Sequence, residues 1–145
     1  MVLNSELFQR IVEEYQRQQD DLRLMEEKRR RCAEYLVNEF RHNFHNMFAP
    51  VNQALHPTGQ SIQPGAHDFA PNGKQVGSYC ELRLIMGSPY DPRIIGTAKL
   101  STNHQGNIQA EIGPRMIQDQ IPFPLEDEHA NLVIERILRV WLKLD

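Results

Sequence analysis

The chain has 145 residues, 40% hydrophobic and 24% charged, with a net charge of −3 and a pI near 6.1. That composition fits one globular domain rather than two, and the acidic balance excludes a histone-like coat of positive charge, so a polyanion would need a local basic patch. Two cysteines outside any C-x-x-C pair exclude a disulfide-stapled scaffold and point to free thiols, while the lack of an apolar run near ~18 residues and of a basic-then-apolar leader points to a cytoplasmic protein with no membrane partner.

From Ser5 to about Phe48 there is no Gly or Pro, and Glu, Gln, Arg, Leu and Met dominate. This is helix composition, with Ser5 as N-cap and Pro50 as the stop. Phe8, Ile11, Tyr15, Leu22, Met25, Cys32 and Leu36 recur at alternating threes and fours, with Gln18 and Arg29 completing the series, which is a coiled-coil register of about four heptads. Beyond it, Ala33, Val37, Phe40, Phe44 and Phe48 form a wider stripe suited to a globular body. Such a helix would run about 65 Å, longer than a domain of this size is wide. Its first half must therefore project, meet another chain, or fold back at the polar Gln18–Asp21 stretch as a helical hairpin.

Between residues 49 and 78 periodicity vanishes, and Pro50, Pro57, Pro64 and Pro71 fall among Gly59, Gly65, Gly73 and Gly77. This reads as a loop or linker, either mobile or lying across the domain as a flap anchored by Val51, Leu55, Ile62 or Phe69.

Residues 79–145 read as an antiparallel sheet of three to four strands followed by an amphipathic helix, packed as one domain with the end of the long helix. Cys80, Leu82, Leu84 and Met86 alternate with Tyr79, Glu81, Arg83 and Ile85, the period of a strand with one buried face. Gly87–Pro92 turns the chain into a strand over Ile94–Thr102, and Asn103–Gly106 turns it again into Asn107–Ile112. Residues 115–121 supply a short edge strand hemmed in by Pro114, Pro122 and Pro124. The last helix, Glu126–Leu144, opens on acids and closes on Arg136, Arg139 and Lys143, as the helix dipole favours. Its broad apolar face, from Ala130 through Val133, Ile134, Ile137, Leu138 and Trp141 to Leu144, predicts extensive burial. The fold class is α+β.

Motifs that would carry chemistry are weak. Lys28-Arg29-Arg30-Arg31 is the strongest charge run, but four successive helical residues surround the helix, and Glu13, Glu26 and Glu27 stand four residues before Arg17, Arg30 and Arg31. No aromatics interleave with it, and the acidic Glu126-Asp127-Glu128 offers phosphates nothing, so nucleic acid is disfavoured. His42 and His45, with Glu39 or Asn46, could contribute to a metal site, but His-x-x-His alone has low specificity, and no metal or other cofactor is assigned. His56, His67 with Asp68, and His104 do not converge by spacing. Gly73-Lys74 is followed by Gln75 and lacks the glycine five residues earlier that a phosphate loop needs, and Gly59-Gln60-Ser61 lacks the closing glycine of a nucleophile elbow.

The expectation is therefore a non-enzymatic interaction or adaptor module that forms a homodimer through Phe8, Ile11, Tyr15, Leu22, Met25, Cys32 and Leu36 and offers its sheet or loop to a protein partner. In a parallel pair Cys32 would face its own copy, and oxidation would trap a disulfide. The competing expectations are a ligand- or metal-binding domain using His42, His45 and the 49–78 loop, and nucleic-acid binding through Lys28–Arg31.

Overall fold

The computed structural model describes residues 2–70, 76–88, 90–114 and 117–144. Helix α1 spans Ser5–Glu34 and starts one residue earlier than expected, because the Asn4 side chain accepts the Leu7 N–H at 3.2 Å. It is unbroken through Gln18–Asp21, so the chain forms no helical hairpin there. A π-helical stretch, Tyr35–Phe40, then leads into α2, Arg41–Leu55. The stretch has a packing reason. Cys32, Leu36, Phe40 and Phe48 are all buried and recur at multiples of four, a spacing that drifts around an α-helix; the wider π turn, with the Arg41 N–H donating to the Leu36 carbonyl, keeps them on one side.

Two expectations fail in the next segment. Pro50 does not end the helix: α2 runs through it, losing one backbone donor at an exposed position, and stops at buried Leu55. The described residues of the 49–78 segment are not a loop either. After a 3-10 turn at His56–Thr58 and a left-handed Gly59, Gln60–Ala70 forms strand β1. The Asn52 side chain holds the end of α2 to this strand, accepting the Ile62 N–H at 2.7 Å and donating to the Ile62 carbonyl at 3.1 Å.

Strands β2 (Gly77–Met86), β3 (Arg93–Thr102), β4 (Ile108–Gly113) and β5 (Ile117–Ile121) follow, and the five strands form an antiparallel meander in the order β1-β2-β3-β4-β5. The sheet thus has five strands, not three to four. The expected alternation holds at Cys80, Leu82 and Leu84, which are buried, but Met86 is exposed beyond the β2–β3 register shift at Leu84/Ile85. Helix α3 spans Asp127–Trp141.

The core lies between one sheet face and the helices. Cys32, Leu36, Phe40, Phe48 and Leu55 on one side, with Ile137, Val140 and Trp141 of α3, pack on Leu82, Leu84, Ala98, Leu100, Ala110 and Ile112. Trp141 reaches the sheet because residue 96 is glycine: a Cβ there would lie 2.6 Å from the indole, whose Nε1–H donates to the Thr97 carbonyl at 3.2 Å. Of the expected apolar face of α3, Ile137 and Trp141 are buried and Val133, Ile134 and Leu138 are half-buried against the core, while Leu144 lies exposed beyond the helix end; Val140 joins the core as well. The side chains of Phe44, His45 and Ala130 lie outside the described residues, as do Pro71, the Gly73-Lys74 turn, Arg115 and Met116. No helix among the described residues is long and apolar enough to cross a membrane.

Candidate functional site

The feature that the fold leaves unused is the first three-quarters of α1. Every residue from Val2 to Glu27 is exposed. At ~1.5 Å per residue, the stretch from Ser5 to Glu27 forms an arm of about 35 Å. Its polar sides are braced locally by Arg23–Asp20 at 2.9 Å and Arg31–Glu27 at 2.6 Å, pairs worth a few tenths of a kcal/mol each. Its apolar side is not covered. Leu7, Phe8, Ile11, Val12, Tyr15, Leu22 and Met25 keep between 39% and 61% of their surface in solvent, while Leu24 faces the opposite side, towards Phe123 and Pro124.

Contact with the body begins at Lys28. The 103–107 turn approaches the helix closely there, since a Cβ on Gly106 would lie 2.8 Å from Lys28 Cγ and 3.2 Å from the Arg29 backbone nitrogen. Gly106 also has φ of +75°, so the position favours glycine on two counts. Lys28 Nζ donates to Asn107 Oδ1 at 3.1 Å, and the same oxygen accepts the Phe123 N–H at 3.1 Å. Farther along, Ser78 Oγ donates to the Ala33 carbonyl at 2.8 Å. These contacts root the arm in the sheet.

The expected interface therefore divides. Phe8, Ile11, Tyr15, Leu22 and Met25 are exposed as a seam needs, but Cys32 and Leu36 are fully buried in the chain's own core, against the sheet. The 3-4 spacing runs through both sets because a coiled-coil seam and a core-facing stripe use the same helical period. Leu7 and Val12 flank the seam and widen it; their apolar character at neighbouring positions was the available signal. A groove of about 310 Å³, lined by Arg29, Val76, Thr102, Asn103 and His104, opens where the seam meets the sheet.

Burial also fixes the chemistry of the thiols. Desolvation pushes the Cys32 thiol up to about 11, against the opposing pull of its hydrogen bond with Thr102 and the charge of Lys28. It pushes Cys80 up to about 12, against Arg41. A Cys32–Cys32 disulfide between folded copies is therefore not available, and neither thiol is a nucleophile. A chromogenic disulfide reagent at pH 8 is expected to titrate no thiol in the native protein and two after denaturation. Because the folded values lie above the ordinary value near 9, the stability these thiols contribute is full below pH 9. It is lost as pH rises from about 9 towards 11 to 12, which thermal midpoints measured across that range will show.

The other candidate residues do not converge. Lys28 is spent on Asn107, Arg31 pairs with Glu27, Arg29 has a buried Nε, and Arg30 is exposed, so the basic run points several ways. His42 lies exposed on α2, and His56, His67 and His104 are exposed on three different elements. Among the described residues no group of three or more His, Cys, Asp or Glu side chains could hold a metal ion. Residues 49–70 are folded as helix and strand and so form no flap over a pocket; the void within the apolar core, beside Phe40, Leu82 and Ile137, is about 10 Å³. The outer sheet face is self-paired: Glu81 and Arg83 form an ion pair, Lys99 sits 4.7 Å from the centre of the Tyr79 ring, and Glu81, Lys99 and Glu111 occupy one cross-strand row. Compared with protein-family models, curated proteins and solved structures, the chain matches none.

Proposed function

We propose that the protein is a non-enzymatic interaction module that forms a homodimer through the arm of α1. The reading is carried by one observation, the apolar side of the arm, whose seven side chains are 39–61% exposed. Such a contiguous stripe marks an interaction surface in proteins that stay dispersed in water. At those exposures the stripe holds on the order of 700 Å² of accessible surface, near the ~800 Å² per partner of a standard interface.

Helix energetics support the same reading. Most helical stability in proteins comes from packing an amphipathic face rather than from propensity. An arm of six turns, held only by its root and a few surface pairs, gains that packing when a second arm covers it. Light scattering or sedimentation across micromolar concentrations is expected to give twice the 16.9 kDa chain mass. A mass of one chain throughout that range would overturn the reading.

A further inference from the structure

We propose, resting on the self-association above, that the two arms run antiparallel, with Phe8, Ile11 and Tyr15 of one copy against Met25, Leu22 and Gln18 of the other. The reason is where the body sits. Cys32, Ala33 and Leu36 place the sheet against the same side of α1 that carries the seam. In a straight helix a 3-4 seam drifts by roughly 20° per heptad, so over two and a half heptads it turns about 50° from that side. The sheet is wider than this offset.

A parallel pair would have its two-fold axis along the seam, about 4–5 Å from each helix axis, half the usual interhelical distance. The sheet packs roughly 10 Å from the helix, at the ordinary spacing of protein layers. It therefore lies across that axis, and the two sheets would occupy the same space. An antiparallel pair has its axis perpendicular to the arms instead. With the axis between Gln16 and Arg17, the body begins about 17 Å away along the helix, at Lys28, and the two bodies stand at opposite ends.

The same centre satisfies every seam position of the arm. Residues whose numbers add to 33 meet, which pairs Phe8 with Met25, Ile11 with Leu22 and Tyr15 with Gln18, each twice. Gln18, the polar seam residue of the arm, then meets a tyrosine hydroxyl rather than its own copy, and a polar seam residue of this kind sets register. The first turn of each arm ends at the groove beside Arg29 and Thr102 of the other copy. One flanking contact opposes the pair: Glu14 of one arm lies near Asp21 of the other, whereas a parallel pair would put Glu14 near Gln19.

The test mixes Phe8→Cys and Met25→Cys chains in equal amounts under mild oxidation, the native thiols being buried. A cross-link joining the two different variants, with little within either variant alone, is the expected result. The pair Tyr15→Cys and Gln18→Cys gives the same readout at the centre if loss of Phe8 or Met25 weakens association. A further expectation is that Glu14→Lys tightens the dimer roughly three- to tenfold by replacing two repulsive contacts with ion pairs. Cross-linking of Phe8→Cys to itself would overturn the antiparallel arrangement while leaving self-association intact. A dimeric mass with no cross-link from any of these positions would place association elsewhere and overturn the arrangement too. A monomeric mass for the unmodified protein would remove the underlying reading itself.

Discussion

Leu22→Glu is expected to convert the protein to monomer at micromolar concentration while leaving the sheet and core folded; the uncovered arm loses some helix, and the thermal midpoint falls only by what association contributed. Leu22 is 58% exposed in the single chain, so the substitution removes no contact of the fold, and Glu is nearly as good a helix former as Leu. In the pair, each Leu22 would be buried against Ile11, at a gain of about 1.5–3 kcal/mol per side chain. A dimer contains two such contacts, so losing them weakens association by on the order of 3–6 kcal/mol, or 10²- to 10⁴-fold in Kd, before the cost of desolvating two carboxylates is added. Sedimentation of the variant beside the parent measures this directly. A dimer that survives Leu22→Glu with unchanged affinity would mean that the seam is not the interface.

Leu36→Ala is expected to do the opposite, although Leu36 belongs to the same 3-4 series. Its side chain is fully buried beneath the sheet, among Cys80, Leu82 and the other core residues. Truncation leaves a cavity where π-helical backbone and sheet meet, and such changes cost about 2–5 kcal/mol. For a chain of this length each kcal/mol lowers the midpoint by roughly 2–4 °C, so a fall on the order of 10 °C is expected. Dimer affinity, measured well below the new midpoint, stays within a few-fold of the parent. One helix would then carry two separable functions, divided between Met25 and Cys32.

That division is the part of the candidate site that sequence reasoning missed. Hydrophobic period reports that a stripe will be covered, not by what, and Met25 and Cys32 satisfy the same 3-4 rule while one is 39% exposed and the other fully buried. The boundary is set by the Gly106 turn and by Ser78, far away in sequence. Strand β2 was legible because Cys80, Leu82 and Leu84 alternate with Tyr79, Glu81 and Arg83, the mark of a half-buried sheet. Strand β1 was not. Only Ile62 of its eleven residues is buried, and Pro64 with Gly65 suppresses the ordinary strand signal, so its pairing with β2 comes from tertiary context. Pro50 misled for a related reason, since its penalty as a helix breaker was outweighed by the burial of Leu55 and the hold of Asn52 on β1.

The Asn52 clamp has a consequence for how copies of this chain can meet. Unsatisfied backbone groups along the border of an open sheet invite another molecule to add a strand, the usual route to uncontrolled polymerisation. On one border Asn52 occupies both backbone groups of Ile62, and Pro64 with the irregularity before His67 spoils the remaining template. On the other, the five-residue β5 ends at Pro122, and its Asp119 is tied back to Arg136 at 3.1 Å. With both borders blunted against such growth, the pairing proposed for the arms would stop at two chains instead of extending strand by strand.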